Sequence, residues 1–124
     1  MPNQGKPGVN NAVRVTWKNN LFAVDKDDPV MAGSGNGVAF QWSVTNSAGK
    51  GAIDVLLGTS ADPNTLPAGG TNGLANNIQA GATQTLTLTV PNAVSGVYDY
   101  IFRVRLHNGT YQNLGADDPW LVLY

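Results

Sequence analysis

Residues 96–106 read Gly96-Val97-Tyr98-Asp99-Tyr100-Ile101-Phe102-Arg103-Val104-Arg105-Leu106, and this stretch decides the fold class. Tyr98, Tyr100, Phe102, Val104 and Leu106 fall on one face of an extended chain, with Asp99, Arg103 and Arg105 on the other. Successive side chains of a strand point to opposite faces, so the alternation predicts a β-strand with one buried and one wetted face. His107-Asn108-Gly109-Thr110 follows, and Asn-Gly suits the positive-φ positions of a tight hairpin turn.

The same period of two recurs outward from this strand. Leu86, Leu88 and Val90 alternate with Thr85, Thr87 and Thr89; Val38, Phe40, Trp42 and Val44 alternate with Ala39, Gln41, Ser43 and Thr45. Val13, Val15 and Trp17 are set against Arg14, Thr16 and Lys18, and Ile53, Val55 and Leu57 against Asp54 and Leu56. Leu21 to Val24 is a short apolar strand, and Pro119 to Tyr124, apolar on both faces, predicts a terminal strand beside the preceding one. Clusters of Asn, Asp, Gly and Pro separate these runs, as turns require. Ser60 to Gly81 reads as a long loop, with Leu66, Leu74 and Ile78 spaced to pin it to the body, and loops of that length often carry function.

Composition agrees. Charged residues are 12% of the 124, against roughly 25% in ordinary soluble domains, and every acidic side chain is Asp. A chain without Glu lacks a favoured residue of exposed helix faces. Hydrophobic residues, at 42%, fill one core. The expected architecture is all-β, an immunoglobulin-like antiparallel β-sandwich of about seven strands spanning residues 13–124 behind a flexible N-terminal arm at 1–12.

A net charge of -1 leaves no basic footprint for nucleic acid, and no apolar run reaches membrane-spanning length. Without Cys there is no disulfide framework, thiolate nucleophile or Cys-ligated zinc. The polar start of the chain does not read as a signal peptide, so the expected location is the cytoplasm, or outside the cell after removal of a signal.

Leu86-Thr87-Leu88-Thr89-Val90 followed by Ser95-Gly96-Val97-Tyr98-Asp99-Tyr100 resembles the E and F strands of immunoglobulin-like domains, with Tyr98 where a tyrosine corner sits and Tyr100 where antibody domains have Cys. Val44-Thr45-Asn46, Ile53-Asp54-Val55-Leu56-Leu57, Ala80-Gly81 and Gly96-Val97-Tyr98 together resemble the cell-adhesion-related sandwich domain of bacterial surface proteins, over roughly residues 38–106. The resemblance implies a sandwich and, through it, a role in adhesion.

No catalytic constellation emerges. His107 is the sole histidine and flanks a turn, where an imidazole is ordinarily solvated. Asp99 and the doublets Asp27-Asp28 and Asp117-Asp118 are the only material for a glycosidase-type carboxylate pair, and turn chemistry explains the doublets. Asp25, Asp27 and Asp28 are the candidate metal ligands, because one loop holding three carboxylates offers several of the six to eight oxygens that calcium takes. Gly33-Ser34-Gly35-Asn36-Gly37 lacks the Lys-Ser or Lys-Thr and the helix of a phosphate cradle. The Thr83, Thr85, Thr87, Thr89 row is a single file, which β propensity explains. Asn108-Gly109-Thr110 fits a glycosylation acceptor but coincides with the best hairpin turn.

Candidate binding residues are the outward apolar Ile101 and Leu121 and the aromatics Tyr111 and Trp120. The expected function is a non-enzymatic protein-interaction or self-assembly module, a homo-oligomer partnering itself or another protein. The alternative is a small lectin, with calcium as its one candidate cofactor.

Overall fold

The computed structural model describes residues 10–26, 30–33, 38–90, 96–114 and 120–123. Among them are twelve strands: β1 (Asn10–Lys18), β2 (Leu21–Lys26), β3 (Val30–Gly33), β4 (Val38–Asn46), β5 (Ile53–Gly58), β6 (Thr71–Asn72), β7 (Leu74–Ile78), β8 (Thr83–Val90), β9 (Gly96–Asp99), β10 (Ile101–Leu106), β11 (Gln112–Leu114) and β12 (Trp120–Leu123). One 3-10 turn, Pro67–Gly69, is the only helical element among the described residues. The chain is an all-β sandwich.

One layer is a five-stranded sheet in the order β2-β1-β4-β8-β6. Facing it are a four-stranded sheet, β11-β10-β5-β7, and a three-stranded sheet, β3-β12-β9, which the chain joins through Tyr100, the single residue between β9 and β10. Pairing is antiparallel except where β1 lies beside β4 and β12 beside β3. After the β1–β2 hairpin the chain passes to the other layer as β3 and returns as β4, so β4 runs in the direction of β1.

The alternating residues fill the core as expected. Phe40, Trp42, Val44, Ile53, Val55, Leu57, Leu86, Leu88 and Val90 are all buried. At the centre Phe102 meets Trp42 and Tyr100 edge to face, with ring centroids 6.2 Å and 5.7 Å away, and Trp42 and Tyr100 pack at a tilt, 5.5 Å apart. Such pairs add stabilisation of about 0.5–1.5 kcal/mol beyond the area they bury.

Residues 96–106 depart from the single strand expected of them. β9 pairs with β12, whereas β10 pairs with β5 and β11. The change of sheet at Tyr100 breaks the alternation, so Tyr100, Ile101 and Phe102 are buried in succession and Leu106, at the far end, is 44% exposed. β1 also begins at Asn10, inside the segment expected to be a free arm; residues 1–9 lie outside the described residues.

The stretch 60–81 is more ordered than a loop. Thr59, Asp62 and Thr65 close a turn: Thr65 Oγ1 donates to Asp62 Oδ2 at 2.6 Å, and Asp62 N to Thr59 Oγ1 at 2.9 Å. Leu66 and Ile78 pin the segment to the core as expected, but Leu74 is 45% exposed and Ala75 takes the buried place. Between β6 in one layer and β7 in the other sits Gly73, whose N–H donates to Thr87 O and whose carbonyl accepts from Leu57 N. Gly73 has φ 72°, and a Cβ there would stand 2.7 Å from Leu66 Cδ2. Only glycine meets both demands.

Asn46, fully buried, staples the turn after β4 to the end of β7. Its Nδ2 donates to Gly51 O at 2.8 Å and to Ile78 O at 2.9 Å, and its Oδ1 accepts from Ala48 N. Burying an amide costs little when its groups are satisfied in this way.

Candidate binding site around the 107–110 turn

The hairpin turn expected at His107-Asn108-Gly109-Thr110 is present: Gly109 N donates to Leu106 O at 2.7 Å, and Asn108 takes a left-handed φ of 63°. Two distinct environments meet at this turn, one polar and one apolar.

The polar side centres on Asp54. Alternation on β5 sends this carboxylate to the outer face of the four-stranded sheet, yet it is 0% exposed. Its cover comes from three directions. Arg105, opposite Asp54 in the β5–β10 register, donates Nε to Oδ2 at 2.7 Å. His107 Nδ1 lies 2.8 Å from Oδ1. On the third side the β5–β7 register shifts between Ile53 and Val55, and Asn77, at φ 54°, turns its N–H onto Oδ1 at 2.7 Å. A longer bond from Asn108 N to Oδ2, 3.4 Å, completes the set.

Desolvation alone would raise the Asp54 carboxyl, but the hydrogen bonds from Asn77, His107, Arg105 and Asn108 outweigh it and hold the group at about 2. Asp54 is therefore ionised at neutral pH and only accepts, so His107 Nδ1 carries the proton and Nε2 is left facing away from the carboxylate. An Asp–His pair of this kind can orient an imidazole for proton transfer. Among the described residues no hydroxyl is hydrogen-bonded to His107, and the same carboxylate secures Arg105 and the turn backbone. What the arrangement does physically is fasten the β10–β11 hairpin to β5 and β7.

Beside it, Tyr111 lies under two guanidinium groups, with Arg103 Cζ 4.7 Å and Arg105 Cζ 4.4 Å from the ring centroid. Arg103 Nε donates to Asn113 Oδ1 at 2.8 Å, and Arg105 Nη1 donates to Gly109 O at 3.3 Å.

The apolar side is a groove of about 260 Å³ where the two layers part, lined by Trp17, Phe22, Leu106, Gly109, Thr110 and Gln112. Trp17 and Phe22, paired across β1 and β2, meet edge to face at 4.8 Å, and Lys50 Nζ stands 5.3 Å from the Trp17 ring. Gln112 closes one wall by reaching across the sandwich: its Oε1 accepts from Phe22 N at 3.1 Å and its Nε2 donates to Phe22 O at 3.0 Å.

Of the residues singled out from sequence, Tyr111 is at this site. Ile101 and Leu121 are 5% and 0% exposed, so neither is on the surface of the single chain; the sheet change at Tyr100 turns Ile101 inward, and Leu121 pairs with Tyr98 and joins the core. Trp120 pairs through its backbone with Asp99 and Val30, and its side chain lies outside the described residues. Asp25 is exposed opposite Arg14 in the β1–β2 register, while Asp27 and Asp28 lie outside the described residues, as do Asp117 and Asp118. Asp99 is engaged by Ser60, whose N–H donates to Oδ2 at 2.7 Å; the Ser60 side chain first, and its N–H after it, hold the carboxyl below its ordinary value.

Sequence reading missed Asp54, a role for His107, and the groove. A signal was there for the first: Asp54 is the one charged residue within Ile53-Asp54-Val55-Leu56-Leu57, and Arg105-Leu106-His107 carries two cationic-type side chains at the spacing of one strand face.

No protein-family model matches the chain, and no curated protein matches it.

Proposed function

We propose that this chain is a non-enzymatic interaction module that associates with further copies of itself through the open end of the sandwich. The observation carrying this is the groove between the layers, with Leu106 exposed at its rim and Leu21, one residue before Phe22, 57% exposed at the same end. Projecting leucines beside an apolar hollow place knob and hole on one patch, the self-complementarity that a two-fold interface uses. A net charge of -1 opposes such association only weakly.

The finer fold assignment in this reading is an immunoglobulin-like sandwich. It is supported by β4 lying beside β8 in one layer while β5, β10 and β11 are consecutive in the other, the arrangement of B with E and of C with F and G. The motifs quoted above extend the resemblance to the cell-adhesion-related domain, whose role in surface contact accords with an association module.

Light scattering across protein concentration tests the proposal. The expected result is a defined oligomer that dissociates on dilution, with Leu106→Asp remaining monomeric at concentrations where the parent chain associates. A monomer at every concentration overturns it.

One observation favours carbohydrate as a second reading. The groove has the size of a single sugar ring and presents the half-buried Trp17 indole beside the exposed Thr110, a stacking face next to a hydroxyl. Retention on a glycan surface, lost in Trp17→Ala, supports this reading, and repeating the measurement with calcium and with chelator shows whether Asp25 and its neighbours take part.

A further inference from the structure

We infer that the outer face of the four-stranded sheet holds a carboxylate-binding site, formed by Arg103 and Arg105 over Tyr111. The Asp54 cluster explains only part of what these residues present. A guanidinium carries five N–H donors in a planar fork. Arg105 uses Nε on Asp54 and Nη1 on Gly109 O; Arg103 uses Nε on Asn113. Among the described residues, no hydrogen bond takes up either terminal nitrogen of Arg103 or Nη2 of Arg105.

Charge points the same way. Asp54 forms an ion pair with Arg105, is hydrogen-bonded to His107 Nδ1, and makes no ion pair with Arg103. No carboxylate among the described residues lies within ion-pair distance of Arg103, and Asp62 acts on it only through space, so its guanidinium has no carboxylate bound to it. Tyr111 holds both guanidinium groups close to one ring, within 4.7 Å of its centroid, which reduces the freedom that each would lose on meeting a ligand. Both arginines are only partly buried, so the free donors are accessible.

The open terminal edge of the Arg103 guanidinium, with Nη2 of Arg105 held at the same ring, matches a planar anion with two acceptor oxygens. That is a carboxylate, which arginine binds through paired N–H donors. The site lies across the 107–110 turn from the apolar groove, so it does not depend on self-association there.

The test is a titration of the full chain followed by NMR of the arginine Nε–H groups and the Tyr111 ring. Sodium acetate and sodium glucuronate are the carboxylate probes, with sodium chloride and inorganic phosphate at matched ionic strength. Saturable shifts of Arg103, Arg105 and Tyr111 with both carboxylates, and none with chloride, are expected. Arg103→Gln should weaken the binding about tenfold, the loss of a charge-assisted pair. Arg103→Lys keeps the charge and lacks the fork, and should also weaken it, while Lys18→Gln on the opposite layer should leave it unchanged. Tighter binding of glucuronate than of acetate marks a sugar acid as the source of the carboxylate; equal binding marks the carboxylate alone. Linear shifts, shifts shared with chloride, stronger binding of phosphate, or unaltered binding in Arg103→Gln would each overturn the inference.

Discussion

The side-chain amide of Gln112 pairs with the backbone of Phe22 in the manner of a neighbouring strand, accepting from its N–H at 3.1 Å and donating to its C=O at 3.0 Å across 90 positions of sequence. β2 is the edge of the five-stranded sheet, and an edge strand exposes unpaired backbone groups that invite another chain. Gln112 occupies that edge at Phe22 and ties it to β11 of the opposite layer. Gln112→Ala leaves both Phe22 groups unpaired and should lower stability by about 1–3 kcal/mol, read as a shift in the urea midpoint. Gln112→Glu keeps the acceptor but sets a carboxylate oxygen against the Phe22 carbonyl, so it should restore at most part of that loss.

Asp54→Ala removes the carboxylate that holds Arg105, His107, the bulge amide of Asn77 and the turn amide of Asn108. Breaking one member of a buried ion pair costs about 3–5 kcal/mol, because the remaining partners stay uncompensated. The expected signature is a lowered unfolding midpoint with loss of slow hydrogen exchange at Asn77 N. An unchanged midpoint would remove Asp54 from its place as the anchor of the hairpin.

The same carboxylate fixes an acid dependence. Its folded value, about 2, lies below the ordinary 3.8, so the ionised form is the one the fold favours. The corresponding stability is complete above the ordinary value and is lost as pH falls from about 4 toward about 2, amounting to about 2 kcal/mol. Asp62 and Asp99, also lowered, act in the same direction. Asp54→Asn isolates its share: its unfolding midpoint should fall less than that of the parent chain over this window.

Trp42 sits against Tyr100 and Phe102, and its Nε1 is the one buried side-chain nitrogen or oxygen among the described residues without a hydrogen-bond partner. Trp42→Ala should cost about 3–5 kcal/mol, as should Phe102→Ala. Trp42→Phe gives up ring volume but no hydrogen bond, and should cost well under half as much. Equal losses in the two Trp42 variants, measured by denaturant unfolding, would show that the indole nitrogen contributes.

Gly73→Ala is strained twice, by its φ of 72° and by the 2.7 Å approach of its new Cβ to Leu66 Cδ2. Gly81, at φ 79° with nothing near its Cβ, is strained once. Gly81→Ala should cost about 1–2 kcal/mol, the left-handed penalty alone, and Gly73→Ala measurably more. Equal unfolding midpoints in the two variants would sink the packing argument.

The class of fold, the inward residues of β1, β4, β5 and β8, the hairpin turn at 107–110 and the place of Trp42 in the core are all legible in the order of residues. These follow from local rules: side chains alternate along a strand whatever it pairs with, and Asn-Gly turns where φ must be positive. Three features are not legible there: residues 96–106 change sheets at Tyr100, Ile101 and Leu121 are interior, and Asp54 on an outward face is buried. Each depends on which strand lies alongside. Asp54 is covered because β10 brings Arg105 opposite it, the turn brings His107, and a bulge in β7 brings Asn77, three neighbours 23 to 53 positions away. Periodicity says which way a side chain points; what it meets there is set by strand order and register.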